Sequence, residues 1–97
     1  MSWQTKRSEE LFRAILSLRT PEEAARFLRD LLTASEIEEL AGRWLAVRML
    51  DRGEPYTAIT AATGLSSRTI ARIAKWLRSG LGGYRLMLDR QKRSKKE

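Results

Sequence analysis

The sequence predicts an all-α protein, and three observations carry that reading. Apolar residues recur three and four positions apart through most of the 97 residues. Helix-start signals, in which a Thr is followed three residues later by a Glu, stand at Thr20 to Glu23 and at Thr33 to Glu36. The one stretch with strand-like propensity, 56–59, is too short and too close to Gly64 to compete.

Six helices follow in order. From Ser8 to Leu18, residues Leu11, Phe12, Ile15, Leu16 and Leu18 mark one face of a first amphipathic helix. A flexible arm, 1–7, precedes it, and Trp3 there is either a docking residue for a partner subunit or incidental. Pro21 at a first helical position reinforces the second start, and that helix runs to about Leu31 with Ala24, Phe27, Leu28 and Leu31 on a narrow stripe. The third and longest helix opens at the Thr33 box and ends near Arg52, with Gly53 as its stop. Its apolar face, Ile37, Leu40, Ala41, Trp44, Leu45 and Val47, is wider than a small monomer needs. Arg48 points into that arc, as a residue does that snorkels at a subunit boundary.

Residues 56–78 read as a helix-turn-helix. A short helix ends at Gly64, which can take the positive φ of a tight turn, and Ser66 or Ser67 caps the next helix. On that helix Ile70, Ile73, Ala74 and Leu77 share one arc while Arg68, Arg72, Lys75 and Arg78 share the opposite one. No acidic residue interrupts the stretch from Thr57 to Arg78, so this face meets an anionic polymer without like-charge repulsion. Ser79-Gly80-Leu81-Gly82-Gly83 cannot continue a helix cheaply. A last helix begins near Gly83 with Tyr84, Met87 and Leu88 packing inward, and the basic tail 91–97 is expected to be disordered, an electrostatic arm.

Composition narrows the function. The 19 Lys and Arg against 12 Asp and Glu leave a formal charge of +7, which favours nucleic acid or a membrane surface as partner. Cysteine and histidine are both absent, which removes thiol nucleophiles, histidine bases and the usual zinc ligands together, so neither an enzyme nor a metal protein is expected. No long apolar run or signal-peptide pattern appears, so a cytoplasmic protein without membrane association is expected. The length suits one domain, 8–90, with a core too limited for a robust monomer.

The quoted motifs carry a resemblance. Leu32-Thr33-Ala34-Ser35-Glu36, Arg43, Met49-Leu50 to Gly53 and Gly64-Leu65-Ser66-Ser67-Arg68-Thr69-Ile70-Ala71-Arg72 resemble the Trp repressor superfamily, above all its YerC/YecD-type branch of short bacterial proteins. Ile15-Leu16-Ser17-Leu18 and Tyr84-Arg85-Leu86-Met87-Leu88-Asp89-Arg90 extend the match from about Leu11 to Arg90. The resemblance implies a six-helix fold in which two chains interlock around one core, here formed by Leu11, Phe12, Ile15, Phe27, Leu40, Trp44 and Val47. It also implies a corepressor site, whose polar positions align with Thr33, Arg43, Thr69 and Arg72. Ile73 and Trp76 stand where the repressor has a Gly and a Ser, so large side chains are expected to occlude that site, the alternative being that Trp76 points outward onto the DNA backbone or solvent and leaves only Ile73 in the way; neither tryptophan nor another cofactor is expected.

The expected function is a sequence-specific, homodimeric transcriptional regulator of double-stranded DNA, with repression the expected direction. Thr57, Ser66, Ser67, Arg68, Thr69, Arg72 and Lys75 are its DNA-binding residues. Two alternatives stay open: a helical accessory protein that binds a partner protein, and a DNA-binding module of replication or transposition machinery.

Overall fold

A computed structural model describes residues 2–96, and among them lie six α-helices and no strand. They are α1 Lys6–Leu16, α2 Pro21–Leu31, α3 Ala34–Asp51, α4 Tyr56–Thr63, α5 Ser67–Ser79 and α6 Gly83–Lys96. By its internal contacts the chain divides into two compact units, Met1–Ile37 and Glu38–Glu97. The division follows burial: all the buried apolar side chains belong to the second unit.

In the first unit each helix start is fixed by a hydroxyl. The Ser8 amide donates to Thr5 Oγ1 at 3.1 Å, and the Thr5 amide donates to Ser8 Oγ at 2.8 Å. This reciprocal cap starts α1 at Lys6, two residues ahead of the expected start, and so shortens the arm. Trp3 within that arm sets its ring edge-on to Phe12, with centroids 6.2 Å apart. At α2 the Thr20 hydroxyl accepts the Glu23 amide at 3.1 Å, while the Glu23 carboxylate accepts from the Arg19 amide, one residue before the cap itself. Neither α1 nor α2 buries a residue. Leu11 and Phe27 are half-buried, and Phe12 and Ile15 keep 44% and 42% of their surface.

The second unit holds the core. Ala46, Val47 and Met49 of α3 meet Ile59 of α4, Ile70 and Ile73 of α5, and Leu88 of α6. Val47, Ile59 and Ile70 are fully enclosed, and burying each such side chain stabilises the fold by about 1.5–3 kcal/mol. Val47, expected in the dimer core, is fully enclosed within its own chain. The reason lies in α3, whose run from Leu40 to Leu50 is apolar on more than one side, so periodicity alone does not tell which side the chain covers itself. Leu40 is exposed, Trp44 is half-buried, and Arg48 lies exposed beside them.

In α6, Leu88 is buried and Tyr84 half-buried as expected, but Met87 is exposed. α6 runs as helix to Lys96, through the segment expected to be a basic disordered tail, and Glu97 lies outside the described residues. Two ion pairs to the end of α3 hold this helix. Arg85 Nη1 stands 3.0 Å from Asp51 Oδ1, and Lys92 Nζ stands 2.7 Å from Asp51 Oδ2.

Candidate nucleic-acid interface

The turn between α4 and α5 is built from four consecutive residues. Thr63 closes α4 by donating its hydroxyl to the Ile59 carbonyl at 2.7 Å, and the same oxygen accepts the Leu65 amide at 3.2 Å. Gly64 takes φ 75°, a left-handed conformation that strains any side chain, and its amide donates to the Thr60 carbonyl at 2.9 Å. Ser66 then caps α5: its Oγ accepts the Thr69 amide at 3.2 Å and donates to Thr69 Oγ1 at 3.1 Å. Of the two serines open as caps, Ser66 is the one used.

That cap sorts the expected DNA-binding residues. Ser66 spends its hydroxyl inside the helix start, whereas Thr69 keeps a hydroxyl hydrogen to donate. Ser67 is the first residue of α5 and exposed, and Thr57 is exposed in the first turn of α4. Arg68, Arg72, Lys75 and Arg78 are exposed, and among the described residues no carboxylate pairs with any of them. On the inner side Ile70, Ile73 and Ala74 are buried, which fixes the rotation of α5 and holds the basic arc outward. Four unneutralised cations, together with the positive end of the helix dipole at Ser67, give this edge a concentrated positive potential.

The positions expected to form an occluded ligand site behave differently from one another. Thr33 serves as a cap: its amide donates to Glu36 Oε1 at 2.9 Å and its hydroxyl accepts the Glu36 amide at 3.1 Å. The backbone bond, and then the side-chain bond, hold the Glu36 carboxyl below its ordinary range. Arg43 is paired with Glu39 at 2.9 Å across one helical turn. Ile73 is 4% exposed and packs in the core cluster. Trp76 keeps 50% of its surface within the single chain. The cause is its place on α5, one turn beyond Arg72 on the outer side and off the arc of Ile70, Ile73 and Ala74.

A cleft of about 590 Å³ opens elsewhere in the second unit, over Leu50, Asp51, Leu77, Arg78 and Arg85, and none of those four positions lines it. Among the described residues no helix is long and apolar enough to cross a membrane, and no group of three His, Cys, Asp or Glu is placed to hold a metal ion. Sequence reasoning missed Thr63 as the stitch of the turn, although a Thr directly before a helix-ending Gly is the available signal.

Comparison with known proteins places this geometry among relatives. A family model described as Trp repressor protein matches residues 6–92. The uncharacterized protein YerC of Bacillus subtilis is 42% identical over 92 residues, a match covering 95% of this chain and 88% of that protein. A TrpR-like protein from Eubacterium eligens superposes with a TM-score of 0.85 at 38% identity, covering 91% of each chain. A candidate Trp repressor from Staphylococcus aureus also reaches 0.85, at 36% identity, covering 92% of this chain and 89% of that one.

Proposed function

The chain belongs to the Trp repressor family, and on that premise we propose that it is a homodimeric regulator that binds specific sequences of double-stranded DNA through α4 and α5. The observation that carries the reading is the outer face of α5. Arg68, Arg72 and Lys75 stand exposed behind a capped N-terminus, with no carboxylate among the described residues paired to them, on a helix whose other side is fixed in the core. A helix so mounted enters a major groove end-first: Ser67, Arg68, Thr69 and Arg72 reach base edges or phosphates, and Lys75 neutralises the backbone. Thr57 on α4 serves the adjoining phosphates.

The homodimer has its own support. α1 and α2 have eleven residues each, enclose none of them fully within the chain, and leave Phe12 and Ile15 exposed. Helices this short are marginal in water unless an apolar face is covered. A second copy of the chain supplies that cover and presents two α5 helices to an inverted repeat.

Tryptophan independence belongs to the same proposal. Ile73 is buried in the core cluster together with Ile70, so α5 is held by its own apolar arc and needs no corepressor to fix it. Selection of bound fragments from a genomic library tests the function. An enriched inverted repeat is the expected result, and recovery of fragments without any shared sequence would refute specific recognition.

A further inference from the structure

Trp76 is the one large apolar side chain on α5 that the chain leaves exposed. It lies one turn past Arg72 and two turns past Thr69, so these three form a single stripe along the helix. Arg68, Arg72 and Lys75 flank it, with no carboxylate among the described residues paired to any of them.

Distance along the helix axis separates the roles within that stripe. At about 1.5 Å per residue from Ser67, Thr69 stands about 3 Å from the helix start, Arg72 about 7.5 Å and Trp76 about 13.5 Å. The major groove is about 8.5 Å deep. A helix entering by its N-terminus therefore carries Thr69 and Arg72 within the groove and leaves the Trp76 backbone about 5 Å beyond it, from where a side chain tilted toward the helix start reaches back to the sugar–phosphate rim.

Resting on the DNA-binding reading above, we propose that Trp76 is a DNA-contact residue that seats α5 on the rim of the groove. Its indole N–H donates to a backbone phosphate, and its ring packs on the adjoining deoxyribose. Both groups repeat at every base pair, so this contact adds affinity without reading sequence. It is continuous with the basic face that carries the proposed function, and the complementary charge comes from the same polyanion.

The test compares wild type, Trp76→Ala and Trp76→Phe, each checked for folding by circular dichroism, on the selected duplex and on a random duplex of about 25 base pairs. Trp76→Ala is expected to weaken binding to both by about tenfold, the scale of one hydrogen bond to a charged oxygen, leaving their ratio unchanged. Trp76→Phe keeps a ring without the donor and is expected to fall between. The emission lost in Trp76→Phe, taken as the difference from wild type, is expected to be quenched by acrylamide in the free protein and protected once DNA is added. Wild type binding DNA while Trp76→Ala binds equally well would overturn the contact and leave the DNA-binding reading standing. Failure of wild type to bind either duplex at low salt would overturn both. If the difference emission is already protected without DNA, the residue faces a second copy of the chain and the proposal fails.

Discussion

Lys92 Nζ on α6 stands 2.7 Å from Asp51 Oδ2 at the end of α3, and the second Asp51 oxygen stands 3.0 Å from Arg85 Nη1. One carboxylate, 12% exposed, thus ties two points of α6 to the helix that brings Ala46, Val47 and Met49 to the core. The Lys92 bond is the largest influence holding the Asp51 carboxyl below its ordinary range. Burial opposes it, and the Arg85 bond adds to it.

A carboxyl depressed on folding stabilises the folded state fully above its unfolded pKa, about 3.9, and loses that contribution as pH falls through the lower folded value. Thermal melts should therefore show Asp51→Asn less stable than wild type at neutral pH by about 1 kcal/mol, since both cations remain half in solvent. The gap should close below about pH 3.9. Hydrogen exchange should quicken in the α6 turns around Lys92 in the variant. A constant gap at all pH values would place the effect of Asp51 in packing.

Gly64 at φ 75° has open space around its missing side chain, so any penalty for substitution is conformational. Gly64→Ala should cost about 1–2 kcal/mol, with Gly64→Asn milder because Asn tolerates the left-handed region. Ser66→Ala should cost about 1 kcal/mol through loss of the α5 cap. Chemical denaturation measures all three, and an unchanged midpoint for Gly64→Ala would contradict the turn geometry.

Much of this was legible in the residues. The starts at Thr20 and Thr33, the Gly64 turn and the inner arc of α5 rest on interactions within four residues of one another, which spacing reports directly. The Thr5 cap of α1 was missed because its partner is Ser8, where a Glu or Gln is the stronger signal. Lys92 of the tail pairs with Asp51, whose other partner Arg85 lies 34 positions from it along the chain, so local composition reads only a basic segment. Val47 and Phe12 look alike as apolar members of helix faces, yet one is enclosed by its own chain and the other is not. Trp76 reads as a filler of space through its alignment with a small Ser, with an outward orientation as the alternative, and within the single chain it is half exposed.

The contrast between Val47 and Phe12 yields a prediction about assembly. Sedimentation should find wild type at twice the chain mass at micromolar concentration. Phe12→Asp should shift it toward single chains while leaving the core of the second unit folded. Val47→Asp should unfold the second unit outright, because a buried unpaired charge costs several kcal/mol. A stable, fully folded wild-type monomer would contradict the account of α1 and α2.

Free tryptophan should not alter DNA affinity. Calorimetric titration should give no saturable binding at sub-millimolar concentration, and duplex binding should be the same with and without the amino acid. Saturable binding with a matching gain in DNA affinity would contradict the role given to Ile73.

The central claim is that the basic face of α5 binds duplex DNA, and the salt dependence of that binding tests it most directly. Affinity for the selected duplex, measured from about 50 to 200 mM salt, should fall steeply, with a log–log slope beyond about −3, as expected when several cations displace counterions. Arg72→Ala should weaken binding by roughly 1–3 kcal/mol on the selected duplex if Arg72 reads a base, and by an equal factor on all sequences if it holds a phosphate. Absence of duplex binding at about 50 mM salt, or a flat salt response unaffected by Arg72→Ala, would contradict the claim.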